Sequence, residues 1–483
     1  MQKPNIVIIT PDELRADYVS CLRKTLPAGR SEHGAAGSVE TPNIDALADQ
    51  GTLFTQAFLQ HGKCTPSRAS MFTGQYASTG GHRTLDLKLR PGERHLAETF
   101  RANGYTTALV GRNHIVEDEF LDNSFDHWIH EPVDEPTDYS ETIGDPLTGA
   151  FYGGRVLVDL AETTDGRNTA ATLSWLRDAP APFFLWFNLF YPHPPYQAPE
   201  PYFSQIDRER VRLYPPVDLG DKPSAMSLIY RNYGLANLSE SDWREVIAVY
   251  GGMVAAMDYL VGQLLQELEA LGLSENTVVV FTTDHGDYAG QYQLVEKWDC
   301  LFHDSILQSP LILRVPWLES RPARVDGLTE LVDLAPTLYE LCQIAPPSGM
   351  AGKSLAPLLA NPEIPHRDSV YAEGGREQEL LEKHNPYLYS RGRPMAYSAK
   401  YKVFFDDPQT LSRAAMVRTK DFKLVVRLNG RTELYDLGED PGEMVNVHDR
   451  EEYAAAARDM ERLLIERLLE AQPKTPAVDR PGV

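Results

Sequence analysis

Four apolar runs in this chain share one design. "NIVIIT" (5–10), "TTALVG" (106–111), "PFFLWFNLF" (182–190) and "TVVVFTT" (277–283) are short and rich in β-branched or aromatic residues, as buried parallel strands are. Each ends in a polar cluster: "PDELRAD", "RNH", "YPHPPY" and "DHGD". Helical patterns lie between them, notably 41–51 with Gly51 as a stop and 243–272 with Gly272 as a C-cap. Strands alternating with helices predict an α/β fold, a large, mostly parallel or mixed central sheet sandwiched by helices. Ligands of such sheets bind beyond the carboxyl ends of the strands, which is where the polar clusters fall.

After about residue 365 the texture changes. Residues 414–443 read as two or three antiparallel strands with a turn at "LNGR", followed by an amphipathic helix at 451–470. The expected division is therefore a large α/β domain over 1–365 and a smaller C-terminal α+β subdomain over 366–483 carrying a short antiparallel sheet. Segments 192–223 and 374–400 read as long irregular loops of the kind that form lids or binding loops. His384, Tyr387, Tyr389 and Arg391 in the second are candidates for shaping specificity. The tail "PKTPAVDRPGV" reads as frayed.

A net charge of -23 over 483 residues argues against nucleic acid or anionic lipid as a partner, because the long-range field repels both. It speaks mildly against long sulfated polysaccharides, whose own charge is repelled too. Cys21, Cys64, Cys300 and Cys342 lie far apart, without zinc or redox spacing, which favours a reducing compartment. The apolar run near the N-terminus is too short for a signal peptide, and no stretch reads as long enough to span a bilayer. The expectation is a cytoplasmic protein with no membrane partner; a homo-oligomer is compatible with its size.

Among the polar groups, Asp12, Glu13 and Asp284 emerge at the ends of two strands. They would repel one another unless a divalent cation sat between them, and oxygen donors suit a hard ion such as calcium. Cys64 opens "CTPSRASMFTG", which reads as a helix start and would place the side chain where backbone N–H groups favour anions. A lone cysteine is more often a small buried hydrophobe. His82 and Arg83 read as a surface turn.

The segment "CTPSRASMFTG" matches the pattern Cys-x-Pro-x-Arg and resembles the type I sulfatases, the formylglycine-dependent family of the alkaline-phosphatase-like superfamily. The resemblance covers nearly the whole chain. It implies that a maturation enzyme oxidises Cys64 to formylglycine (3-oxoalanine). It implies a metal site of Asp12, Glu13, Cys64, Asp284 and His285, and catalytic roles for Arg68, Arg112, His114, His193 and Lys297. The carrying motifs are "PNIVIITPDE", "GYTTALVGRNH", "YPHPPY" and "FTTDHGDYAGQYQLVEKW". By the same resemblance, one hydroxyl of the aldehyde hydrate attacks sulfur and the second, deprotonated by His114, expels sulfate. Arg68 would hold the hydrate, while His193, Lys297 and Arg112 would bind sulfate oxygens.

Two departures from the family pattern stand out. Arg112 replaces the usual lysine, exchanging a point donor for a planar fork. His285 stands where many members have Asn and, with Glu13 for Asp, shifts the donor set toward manganese; calcium is the first expectation, with Mn2+ or Mg2+ as alternatives. The implied substrate is a small aryl or sugar sulfate. One alternative keeps the nucleophile but acts on phosphonate monoesters or phosphodiesters, whose enzymes the "DE" pair and "DHG" resemble equally. A third reading is a metal- or carbohydrate-binding protein with unmodified Cys64 and no turnover.

Overall fold

Period-two alternation and apolar runs place fourteen strands among the described residues, which are 3–318, 320–376 and 395–472 of a computed structural model. In chain order they are β1 (Asn5–Pro11), β2 (Thr52–Phe58), β3 (Thr106–Val110), β4 (His127–Ile129), β5 (Tyr152–Val156), β6 (Phe183–Leu189) and β7 (Tyr196–Pro199). There follow β8 (Thr277–Phe281), β9 (Gln308–Arg314), β10 (Arg324–Glu330), β11 (Val370–Gly374), β12 (Ala414–Arg418), β13 (Phe422–Arg427) and β14 (Glu433–Asp436). Eight form the central sheet in the order β10-β2-β9-β8-β1-β6-β3-β4. Only β9 runs against its neighbours, pairing antiparallel with both β2 and β8, so the sheet is mixed. The four strands singled out in the sequence, β1, β3, β6 and β8, lie side by side and parallel at its centre. Their polar ends therefore converge on one edge.

Helices cover both faces. Ser239 and Asp242 form a capping box that starts the helix Glu240–Ala270, and Gly272, at φ +66°, ends it. This helix is long enough to cross a bilayer, contrary to expectation, with an apolar window of mean hydropathy 1.3. Because 89% of that window is packed inside the protein, it is a core helix. A Cβ on Gly252 would lie 2.3 Å from the Tyr202 carbonyl oxygen, so glycine is what lets the chain pass there.

Strands β11–β14 form a separate four-stranded antiparallel sheet. Alternation gives it two buried faces. Met416 and Val425 join the main core, while Val417, Leu424 and Leu434 pack on Met460 and Leu464 of the helix Ala454–Glu470. Arg467 of that helix donates to Glu330 at 2.6 Å and to the Tyr76 hydroxyl at 2.6 Å, tying it to the central sheet.

Two loop expectations need correction. Residues 192–223, read as irregular, contain the buried strand β7, paired with β5, and the short helix Tyr202–Gln205. Residues 395–400, read as irregular, begin the helix Met395–Asp406. Its sequence "MAYSAKYKVFFD" lacks a clean apolar period because it is buried at Ala396, Lys400 and Val403, one of them charged. His384, Tyr387, Tyr389, Arg391 and the C-terminal tail lie outside the described residues.

Candidate active site

The chain leaves β1 at Pro11 and turns sharply, with Glu13 at φ +70°. Its backbone N–H donates to Asp284 Oδ1 at 3.2 Å, and the Leu14 N–H donates to Thr283 Oγ1 at 3.2 Å, so the ends of β1 and β8 are stitched together. Beyond β8, Gly286 passes so close to the Ser305 carbonyl oxygen that a Cβ would sit 1.9 Å from it. Gly286→Ala is therefore expected to destabilise the fold by about 1–3 kcal/mol, because backbone rather than a flexible side chain must move. Denaturant unfolding checks this; an unchanged midpoint would refute it.

The helix Cys64–Thr73 runs with every side chain buried and Cys64 as its first residue. Arg68, one turn on, shares the face of Cys64. Its Nε donates to Asp284 Oδ2 at 2.7 Å and one Nη to Asp12 Oδ2 at 2.9 Å, while its other Nη is buried without a partner. Cys64 Sγ lies 3.1 Å from His285 Nε2 and 3.7 Å from Asp12 Oδ1. His285 Nδ1 donates to the Gly286 carbonyl at 3.0 Å, which leaves the Nε2 lone pair facing Asp12 at 3.6 Å and Asp284 at 3.8 Å.

Glu13 faces the other side. Lys297 Nζ donates to Glu13 Oε2 at 2.5 Å and to His193 Nε2 at 3.0 Å. His193 Nδ1 is turned to the Pro194 carbonyl at 2.5 Å, and its Nε2 lies 3.5 Å from Glu13 Oε2. Asp165 holds the loop before His193 by accepting from the Phe190 and Tyr191 N–H groups, both at 2.8 Å.

Burial, then the Asp284 charge, raises the carboxyl of Asp12. Burial also holds Glu13 well above its ordinary value, against the pull of Lys297. Burial would raise Asp284 too, but Arg68 and then His285 outweigh it and hold that carboxyl at about 2. Burial, with Asp12 and Asp284, raises the Cys64 thiol well above normal, so an unmodified Cys64 is a neutral thiol and a poor nucleophile.

One ligand atom from each of Asp12, Cys64, Asp284 and His285 lies within 4.8 Å of the others, as do those of Asp12, Glu13 and His193. Glu13 Oε1 is buried and unpartnered. Buried carboxylates, an imidazole lone pair and an orphaned acceptor fit a divalent cation.

Arg112 and His114 follow β3. Arg112 is exposed, its guanidinium carbon 4.0 Å from the Phe190 ring centroid, and it lines a cavity of about 250 Å3 whose wall includes Asp12 and Arg68. His114 has a buried, unpartnered Nδ1; burial, then Arg68 and Arg112, keeps its imidazole well below the usual range and therefore neutral. His82 is buried rather than a surface turn, its Nε2 3.3 Å from Glu93.

Residues that motif reading passed over complete the surroundings. Asp287 accepts from the Tyr196 hydroxyl at 2.8 Å and from the Ala289 and Glu296 N–H groups at 2.6 and 3.0 Å, folding the loop that carries Lys297. Glu296 receives Lys400 from the helix Met395–Asp406. An acid beside a lysine is the only sequence signal for this pair, and nothing local identifies its partner.

The family model described as Sulfatase matches residues 4–344, which span the whole cluster from Asp12 to Lys297. The chain is 27% identical over 482 residues to the ulvan-active sulfatase of Formosa agariphila, covering 97% of this chain and 81% of that protein. In fold it is similar to the phosphonate monoester hydrolase of Agrobacterium radiobacter, with a TM-score of 0.74 at 23% identity over 97% of this chain and 96% of that one. A structure solved with its substrate D-glucosamine-2-N,6-O-disulfate gives a TM-score of 0.73 at 20% identity, covering 99% of this chain and 100% of that one. With the matched segment carrying the paired strand ends and the helix that begins at Cys64, the chain belongs to the sulfatase family of ester hydrolases, in the alkaline-phosphatase-like superfamily.

Proposed function

We propose that the protein hydrolyses a small aryl or sugar sulfate ester, releasing alcohol and inorganic sulfate, with formylglycine made from Cys64 as the nucleophile. The observation that carries this reading is the convergence on Cys64 of Asp12, Asp284, His285 and Arg68, all buried, at a helix N-terminus. Asp12, Asp284, His285 and residue 64 would hold the metal, with calcium first and Mn2+ or Mg2+ as alternatives, and Glu13, turned toward Lys297, would join them only through its unpartnered Oε1. When bound, the cation acidifies a hydroxyl at position 64 and offsets negative charge on the ester.

The chain's own groups divide the remaining work. Arg68, fixed by two carboxylates, has one Nη free to hold an oxygen of the residue 64 hydrate. His114, neutral, accepts the proton of the hydroxyl left behind. Lys297 and His193 act as a pair: the ammonium binds a sulfate oxygen and donates a proton to the departing alcohol, while His193, its Nδ1 held by the Pro194 carbonyl, accepts from the ammonium through Nε2 and fixes its direction. Arg112, at the cavity wall, meets the ester from outside.

Sulfate monoesters and phosphonate monoesters each present one negative charge, so charge alone does not separate them. The second reading, a phosphonate monoester hydrolase or phosphodiesterase with the same nucleophile, draws support from the similarity in fold to the phosphonate monoester hydrolase of Agrobacterium radiobacter. Parallel rates on 4-nitrophenyl sulfate, phenylphosphonate monoester and bis(4-nitrophenyl) phosphate decide between them. The expected result is a higher kcat/KM on the sulfate by at least about tenfold. Faster turnover of either phosphorus ester would overturn the assignment in favour of the second reading.

A further inference from the structure

Glu296 immediately precedes Lys297, and both are buried. A carboxylate there is a hazard to the site. Glu296 Oε1 lies 3.4 Å from Lys297 Nζ and competes with Glu13, at 2.5 Å, for the same ammonium. The backbone position of the acid is set, since the Glu296 N–H is held at 3.0 Å by both Asp287 Oδ1 and the Tyr196 hydroxyl, with φ at +61°.

What keeps it from capturing Lys297 arrives from 104 residues further along the chain. Lys400, buried on the helix Met395–Asp406, donates to both carboxylate oxygens of Glu296. Of the charges acting on Glu296, that of Lys400 outweighs that of Lys297. We propose that Lys400 is a positioning residue of the active site. By occupying Glu296 it leaves the Lys297 ammonium directed at Glu13, His193 and the sulfate group, so the C-terminal part of the chain completes the catalytic apparatus.

This inference rests on the role given to Lys297 above. It makes a sign-reversing prediction that a mere anchor would not. In Lys400→Met, close in volume, Glu296 loses its counter-ion and draws Lys297 aside; kcat/KM on 4-nitrophenyl sulfate falls roughly 10- to 100-fold, the cost of displacing a positioned group by about an ångström. Inhibition by inorganic sulfate weakens in parallel, because the ammonium no longer meets it. The double variant Glu296→Gln/Lys400→Met removes both the trap and its guard, and is expected to recover to within about threefold of the parent. Lys400→Arg should also restore most of the rate.

Rates are taken per folded enzyme, well below the melting temperature followed by circular dichroism. An anchor alone would lower that temperature in Lys400→Met and leave the rate per folded molecule and the sulfate inhibition unchanged, which would overturn the proposal. A double variant as slow as the single one would overturn it as well. Should Lys400→Met not fold, the neutral double variant decides. If the parent enzyme turned over neither sulfate nor phosphonate esters, the proposed function would fail instead. Sulfate binding by calorimetry, parent against Lys400→Met, would still test the clamp.

Discussion

Replacing Cys64 with alanine is expected to abolish turnover, lowering kcat by about 10^4-fold or more, the scale seen when a nucleophile is removed. The fold should survive. Cys64 is a small buried side chain at a helix start, and its loss leaves Arg68 bridging Asp12 and Asp284 and His285 held by its own backbone contact. Protein whose Cys64 is left as a thiol should be as inactive as Cys64→Ala, since that thiol is held neutral by burial and by two carboxylates. Mass measurement of the peptide across residue 64 separates the forms, because the aldehyde has lost sulfur and two hydrogens and gained one oxygen. Turnover by Cys64→Ala within about tenfold of the parent would remove the nucleophile from the mechanism. Turnover by protein whose Cys64 is wholly a thiol would remove the modification.

The polar ends of β1, β3, β6 and β8 were legible because each apolar run stops where its polar cluster begins, and a parallel sheet must bring such ends to one edge. Cys64 at a helix N-terminus was legible from its neighbours. The reversal of β9 was not, since "SPLILR" has the same apolar texture whichever way it runs. Nor was the tether on Lys297. Glu296 and Lys400 are 104 residues apart, and Lys400 sits in a stretch whose period is blurred by burial of that very charge. Asp287 escaped notice for a different reason, as its work is done through backbone N–H groups and one tyrosine, contacts that no residue spacing announces. Arg112 shows the reverse limit. The motif gives its position just past β3, but the side chain's choice of the Phe190 face is made by tertiary packing.

Stripping the divalent cation is expected to cost both activity and stability, and the charge balance of the site explains why the two go together. Asp12, Glu13 and Asp284 bring three negative charges, against two positive ones from Arg68 and Lys297, into a region where all five side chains are buried. An uncompensated charge in such surroundings is destabilising by several kcal/mol, and the raised carboxyls of Asp12 and Glu13 express that strain. A bound divalent ion separates the three acids from one another and reverses the balance to one net positive charge, which a singly negative ester then neutralises. Exhaustive chelation should therefore lower kcat by about 10^3-fold or more. Restoring calcium at about a thousand times its dissociation constant should return about 4 kcal/mol of stability, read as a rise in melting temperature that saturates with the ion. Manganese should substitute, because the His285 nitrogen is a donor it accepts readily. Asp284→Asn should flatten the calcium titration while leaving the Arg68–Asp12 bridge intact. If the chelated protein kept its melting temperature and its rate, Arg68 and Lys297 would have to balance the three acids unaided, and the cluster would be an ion-pair network rather than a metal site.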